Sequence, residues 1–388
     1  MTECKGWSES DLEHAAHMDA DQMVGRLTCD FCGTQTENVY KHVNLCPRCG
    51  LVQSEPRSDR TISTSCEADQ GNLRNGKGFR FPLSLPILES LDWSQIHTAL
   101  DIGSNRGTFL RWMHHNHEHV TVTAVEPEMR LVNYGTQNVY IGKFEDLAWY
   151  FKPVDFVFSS HTLEHSLSAD GMMKSTERLM PIGSHMLLEI PNLATIKDQR
   201  VVEEFFIYKH NWHFSTPQLI PYLMDLGFEI ERDASTRFDI RFLLRKVREP
   251  IQFRGFSFAV EVAREWFALY ERNIERNRAA LPKIVAELHD LAKNKCVAYW
   301  GAGRIFDALV RYGGLDTSDV HCLVDGMLYG VVPDVHGIKL EPPSVLEACS
   351  ADVIVVLGRT SSNVLVTEAV KYTSSVLTFD HLLDKALA

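Results

Sequence analysis

Leu100–Leu110, LDIGSNRGTFL, is the stretch that decides how the middle of the chain folds. An apolar strand runs into Asp101, a turn carries Gly103, Ser104, Asn105 and Gly107, and a helix begins near Thr108. Glycine lets backbone approach a ligand and take dihedrals that other residues resist. The helix N-terminus then offers unpaired N–H groups and a positive dipole end, suited to a ligand carboxylate. A second strand, VTVTAVEP, closes with Glu126 and Pro127, and Glu126 stands nineteen residues beyond Gly107. A carboxylate there accepts hydrogen bonds from both hydroxyls of a ribose, the logic of dinucleotide-binding folds. Glu145 and Asp146 follow at a turn before a helix, where an acidic side chain meets an adenine amino group. The set predicts a nucleoside-binding site.

Outward from this loop, HTALDI, VTVTAVE, VDFVFSS and HMLLEIP read as buried strands, each followed by Gly, Ser, Pro or Asn. Their alternation with helical stretches implies βαβ units and a parallel sheet over residues 71–246. A helical connector over 247–294 carries Ile284, Leu288 and Leu291 at amphipathic spacing, and Pro282 is expected to divide it. KCVAYW, VHCLVD and ADVIVVL then predict a smaller α/β domain over 295–388. With 388 residues, several domains are the expectation. The net charge of −12 opposes binding to bulk nucleic acid, whose affinity comes largely from phosphate neutralisation. No apolar run reaches the roughly 18 residues that suggest a membrane span, and the polar N-terminal stretch does not resemble a secretory signal. A cytoplasmic protein with reduced thiols is therefore expected.

Within residues 1–70, Cys29-x-x-Cys32 and Cys46-x-x-Cys49 form two knuckles thirteen residues apart. Each pair can grip one face of a tetrahedral zinc ion. Gly33 and Gly50 follow the second cysteine of each pair, where a tight turn favours a residue without a β-carbon. Four thiolates leave no open coordination position, so the expected Zn2+ is structural.

Two histidine pairs fall after predicted strands: His161 and His165 after VDFVFSS, with Ser160 at the strand end, and His210 and His213 after HMLLEIP; Ser160 and His161 are also expected to line the cofactor site. Chain order brings them to the carboxyl rim of the sheet, where α/β folds place their sites. VDFVFSSHTLEHSL and LMPIGSHMLLEIPN resemble the fourth and fifth strands of class I methyltransferases. Read with CPRCGLVQ, the glycine–serine–asparagine loop, IYKHNWHFS and the last α/β domain, the chain resembles the zinc-containing sugar C-methyltransferases, which act on nucleotide-linked 4-keto deoxysugars.

That resemblance implies S-adenosylmethionine as cofactor, a class I Rossmann-like sheet, and a histidine that takes the proton beside a ketone. Neutral imidazole suits the task, since its ordinary pKa is near ~6.5. By resemblance His210 matches the family's basic histidine and His165 the histidine after the fourth strand, while His213 and Tyr208 lie beside them. The chain departs from the family at Lys209, where it has a glutamate, and at Ile207, where it has a tyrosine.

VAYWGAGRIFDALVRYG repeats the strand–glycine–helix pattern with Gly301, Gly303 and Arg304, and Asp325 ends the next strand. Phe306 stands where a dinucleotide fingerprint has its third glycine, so nucleotide recognition or a purely structural role is expected in place of a catalytic dinucleotide. The resemblance assigns this domain to the nucleotide of a sugar donor. Three alternatives stay open: N- or O-methylation of another metabolite, a zinc-ribbon nucleic-acid methyltransferase, and a nicotinamide oxidoreductase.

Overall fold

The computed structural model describes residues 28–54, 81–105, 107–127, 138–206, 210–253, 255, 257–326, 328–330, 333–358 and 362–388. They form two units, Met1–Thr195 with Phe206–Phe267, and Ile196–Phe205 with Ala268–Ala388.

The first unit holds two sheets. One contains β1 (Glu37–Tyr40), β2 (Val43–Leu45), β3 (Val52–Ser54) and β9 (Trp212–His213), in that order and antiparallel throughout. The other contains β4 (Thr98–Ile102), β5 (Thr121–Glu126), β6 (Val139–Ile141), β7 (Phe156–Ser160), β8 (His185–Pro191), β10 (Phe228–Asp233) and β11 (Asp239–Lys246). Their order is β10-β11-β8-β7-β4-β5-β6, with β11 antiparallel to both its neighbours and the other pairs parallel. This is the class I methyltransferase sheet. Its central strands are nearly continuous apolar runs because helices cover both faces, so Leu100, Phe156, Val157, Leu187 and Leu188 are all fully buried. Helices α1 (Phe81–Leu88), α2 (Thr108–Asn116), α3 (Phe144–Leu147), α4 (Ala169–Leu179) and α5 (Thr216–Asp225) complete the layers.

The boundary expected near residue 70 does not separate two packing units. Phe31, between the cysteines, stacks on Tyr222 of α5 with centroids 3.7 Å apart. Cys29, Cys46 and Cys49 share one apolar cluster with Leu100 and Ile102. A module this small gains its core by leaning on a larger one.

Helix α6 (Ser257–Ala292) also differs from expectation, since it runs through Pro282 without dividing. Proline removes one backbone bond, but its neighbours Leu281, Ile284 and Leu288 are buried and hold the helix by packing.

The second unit holds β12 (Val297–Trp300), β13 (Cys322–Val324), β14 (Asp334–Val335), β15 (Ile338–Glu341), β16 (Val353–Val356) and β17 (Val376–Thr378). Their order is β14-β15-β13-β12-β16-β17, with only β14 antiparallel. Helices α7 (Arg304–Arg311), α8 (Leu346–Cys349), α9 (Ser362–Ala369) and α10 (Phe379–Leu387) accompany them. Residues 196–205 belong to this unit because Asn277 Nδ2 bonds the carbonyls of Gln199 and Val201, both at 2.8 Å. No described helix is long and apolar enough to cross a membrane.

Candidate active site

Strands β7, β4 and β5 lie side by side and deliver the glycine loop, Glu126 and Ser160 to one carboxyl edge. Gly103 and Gly107 take left-handed dihedrals, φ 75° and 67°. The need at Gly103 is also spatial: a β-carbon there would stand 2.1 Å from Thr162 Oγ1, which donates to the Ile102 carbonyl at 3.0 Å. The loop is thus packed against the turn that follows β7. Asn105 is left-handed without being glycine, φ 48°, and its N–H donates to Glu126 Oε2 at 2.6 Å. Gly103 and Ser104 donate their N–H groups to the Val125 carbonyl, at 2.9 and 3.0 Å. Burial, and then the charge of Glu126, push the Asp101 carboxyl well above the usual carboxylate range.

The remaining nucleoside-site candidates divide. Pro127 directly follows Glu126 at the end of β5, and Glu145 and Asp146 occupy the first turn of α3. Glu145 Oε1 accepts the Leu167 N–H at 3.0 Å, so it ties this turn to the loop after β7. His161 turns the other way. It adopts φ 51°, and its Nε2 lies 3.5 Å from Glu189 and 3.3 Å from Asp239, with Nδ1 3.2 Å from Glu164. Register explains this carboxylate box, because Ser160 pairs with Glu189 and Glu189 with Arg241. Glu189 and Arg241 form a fully buried ion pair at 2.8 Å, and Ser84 Oγ donates to the other Glu189 oxygen at 2.9 Å. Burial acts to raise the Glu189 pKa, but contacts from His161 and Arg241 outweigh it and hold the value down to about 2. None of these acids was expected, because their partners sit on strands far apart in the chain.

His165 and His210 do meet, ring centroids 4.9 Å apart and edge to face. The backbone makes the meeting. The Asn211 N–H donates to the Glu164 carbonyl at 2.8 Å, and the side chains of Asn211 and Trp212 both donate to the Ser166 carbonyl. Glu164 itself is 1% exposed. Burial opposes its ionisation, yet the contact with His161 and the charge of His165 hold its pKa below the ordinary value.

His213 is placed differently from the expected rim base. It lies in β9 against the cysteine sheet, 4% exposed, with Nε2 2.9 Å from Ser54 Oγ. Burial, and then the neighbouring charge of His42, lower its pKa to about 3, so it is a neutral packing imidazole. Tyr208, with Ile207 and Lys209, lies outside the described residues.

The four cysteine sulfurs come together, Cys29 to Cys49 at 3.5 Å and Cys32 to Cys46 at 3.4 Å. The N–H groups of Arg48 and Cys49 both point at Cys46 Sγ from 3.4 Å, as a metal knuckle requires of its backbone. Gly33 and Gly50 supply the left-handed turns, φ 67° and 76°. The set can hold a zinc ion. In the second unit, Asp325 is occupied by its own chain: Oδ2 accepts the Ala302 N–H at 3.0 Å and Oδ1 the Leu328 N–H at 2.9 Å. Gly301 adopts φ 118° at this turn, Gly303 caps α7, and Arg304 donates to the Glu204 carbonyl at 3.4 Å.

Residues 78–232 match the family model described as "Methyltransferase domain". With the strand order above, that span is a methyltransferase domain of the class I S-adenosylmethionine-dependent fold. Among solved structures the chain is similar to the PH0226 protein of Pyrococcus horikoshii OT3, at 14% identity over 49% of this chain and 100% of that one, TM-score 0.38. It is also similar to an S-adenosylmethionine-dependent methyltransferase from Mesorhizobium loti, at 13% identity over 42% and 97%, TM-score 0.34. A third, from Aquifex aeolicus, has 19% identity over 43% and 94%, TM-score 0.32. No curated protein matches the chain by sequence.

Proposed function

We propose that the protein methylates a nucleotide-activated keto sugar at the carbon beside its carbonyl, with S-adenosylmethionine as donor. The observation that carries this reading is the His165–His210 pair, two half-buried imidazoles held face to edge at the rim that follows β7. Gly103, Ser104, Asn105 and Gly107 fit a methionine carboxylate at the start of α2. Glu126 suits the ribose, and Asp146 the adenine. Bound there, S-adenosylmethionine supplies an electrophilic methyl group. His210 takes the α-proton of the acceptor, and His165 orients it and the acceptor oxygen. The four cysteines hold a structural zinc. In the second unit, Gly301, Gly303 and Arg304 form the candidate nucleotide-binding turn, which Asp325 keeps in shape. This division of work suits a small-molecule enzyme of the cytoplasm.

Thermal shift separates the cofactor readings, because a ligand that binds only the folded state raises its melting temperature. S-adenosylhomocysteine should stabilise the protein and NAD should not; the reverse result would overturn the donor. Incubation with S-adenosylmethionine and a panel of nucleotide keto sugars, read by mass, tests the acceptor. One added CH2 on a sugar that keeps its free hydroxyls supports carbon methylation. Gain at an amino or hydroxyl group would instead favour the N- or O-methylating reading, which the lysine at position 209 motivates.

A further inference from the structure

Glu164 is a buried carboxylate, and neither of its oxygens has a hydrogen-bond partner among the described residues. Its Oε1 lies 3.2 Å from His161 Nδ1 and 3.8 Å from His165 Nε2, contacts of charge without hydrogen-bond alignment. A carboxylate oxygen of Glu164, a ring nitrogen of His165 and a ring nitrogen of His210 all fall within 4.8 Å of one another. Leaving such a carboxylate without bonds costs more than leaving a neutral group so. The arrangement makes sense when the three donors point at a common ligand.

We infer that Glu164, His165 and His210 form a site for a divalent metal ion, distinct from the four-cysteine cluster. Two imidazoles and one carboxylate leave coordination positions open, and this donor set suits Mn2+, Fe2+ or Zn2+. The backbone has already assembled it, since the Asn211 N–H to the Glu164 carbonyl brings the segment carrying His210 against the turn carrying Glu164 and His165. His165 keeps 33% of its side chain exposed, which gives the ion a way in. The neighbouring trio of His161, Glu189 and Asp239 is a poorer cage, because Arg241 already holds Glu189 Oε1 at 2.8 Å.

Imidazoles that ligate an ion cannot also accept a proton. Ion binding and proton removal by His210 are therefore mutually exclusive states of one site, and Mn2+ that fills it should inhibit a methyl transfer that uses His210 as base.

Mn2+ serves as the probe, because it is a hard ion that prefers carboxylate and other oxygen donors to thiolate and so leaves the zinc-filled cysteine cluster alone. Titration of the zinc-replete full chain by calorimetry and by manganese electron paramagnetic resonance should give one site. Glu164→Gln and, separately, His210→Ala should weaken it about a hundredfold, whereas His289→Ala in the second unit should leave it unchanged. Circular dichroism identifies any variant that fails to fold, and either remaining variant decides the case. Absence of Mn2+ and Zn2+ binding beyond the cysteine equivalent would overturn the proposal, as would undiminished binding in both variants. S-adenosylhomocysteine thermal shift on the same samples reports the cofactor reading separately, so the failure of one is distinguishable from the failure of the other.

Discussion

At His213 a single side chain shows how environment outranks residue type. Its folded pKa of about 3 lies below the ordinary 6.5, so the unfolded chain binds a proton that the folded chain refuses. Stability from this group is therefore full above pH 6.5 and is lost as pH falls from there toward 3. Over that window the loss amounts to several kcal/mol, on the order of 1.4 per pKa unit. His213→Phe should flatten the decline in unfolding free energy over the window, as measured by urea titration at stepped pH. Gly103 makes the opposite case, where type is everything. Gly103→Ala should cost about 1–3 kcal/mol in backbone strain and push Thr162 from the Ile102 carbonyl. Loss of the S-adenosylhomocysteine thermal shift, with a lowered melting temperature, is the expected result.

Strand pairing makes the rim of the site. β8 and β11 meet with Glu189 opposite Arg241, and the pair is sealed in the core at 0% and 4% side-chain exposure. Breaking a buried pair strands one charge, so Arg241→Ala should destabilise by about 3–5 kcal/mol. Replacing both members with apolar residues of similar volume, Glu189→Met with Arg241→Leu, should recover most of that loss. Equilibrium denaturation of the two variants and the wild type tests this, and a double variant no better than the single one would count against the argument. The four central strands of this sheet were readable beforehand from their apolar runs and turn residues. The reversed β11 was not, since a run such as IRFLL carries no mark of direction. Pro282 shows the limit from the other side: proline reads locally as a helix divider, yet long-range packing keeps α6 whole.

For the whole molecule, the cysteine module and the methyltransferase sheet share a core, while the last α/β sheet packs with residues 196–205 in a unit of its own. Stripping metal with a strong chelator, or Cys46→Ser, should therefore lower the calorimetric transition of the first unit and leave that of the second in place. A shift of both transitions by equal amounts would contradict separate units. Local chemistry was enough for the glycine loop, the paired knuckles and the alternation of strand and helix. These depend on dihedral freedom, ligand spacing and apolar period, all properties of short stretches. Packing alone decided that His161 faces three carboxylates, that His213 is a buried partner of Ser54, and that Glu164 stands between His161 and the pair His165 and His210. Those facts depend on register and proximity between segments distant in the chain, and no local pattern encodes which distant residue will be the neighbour.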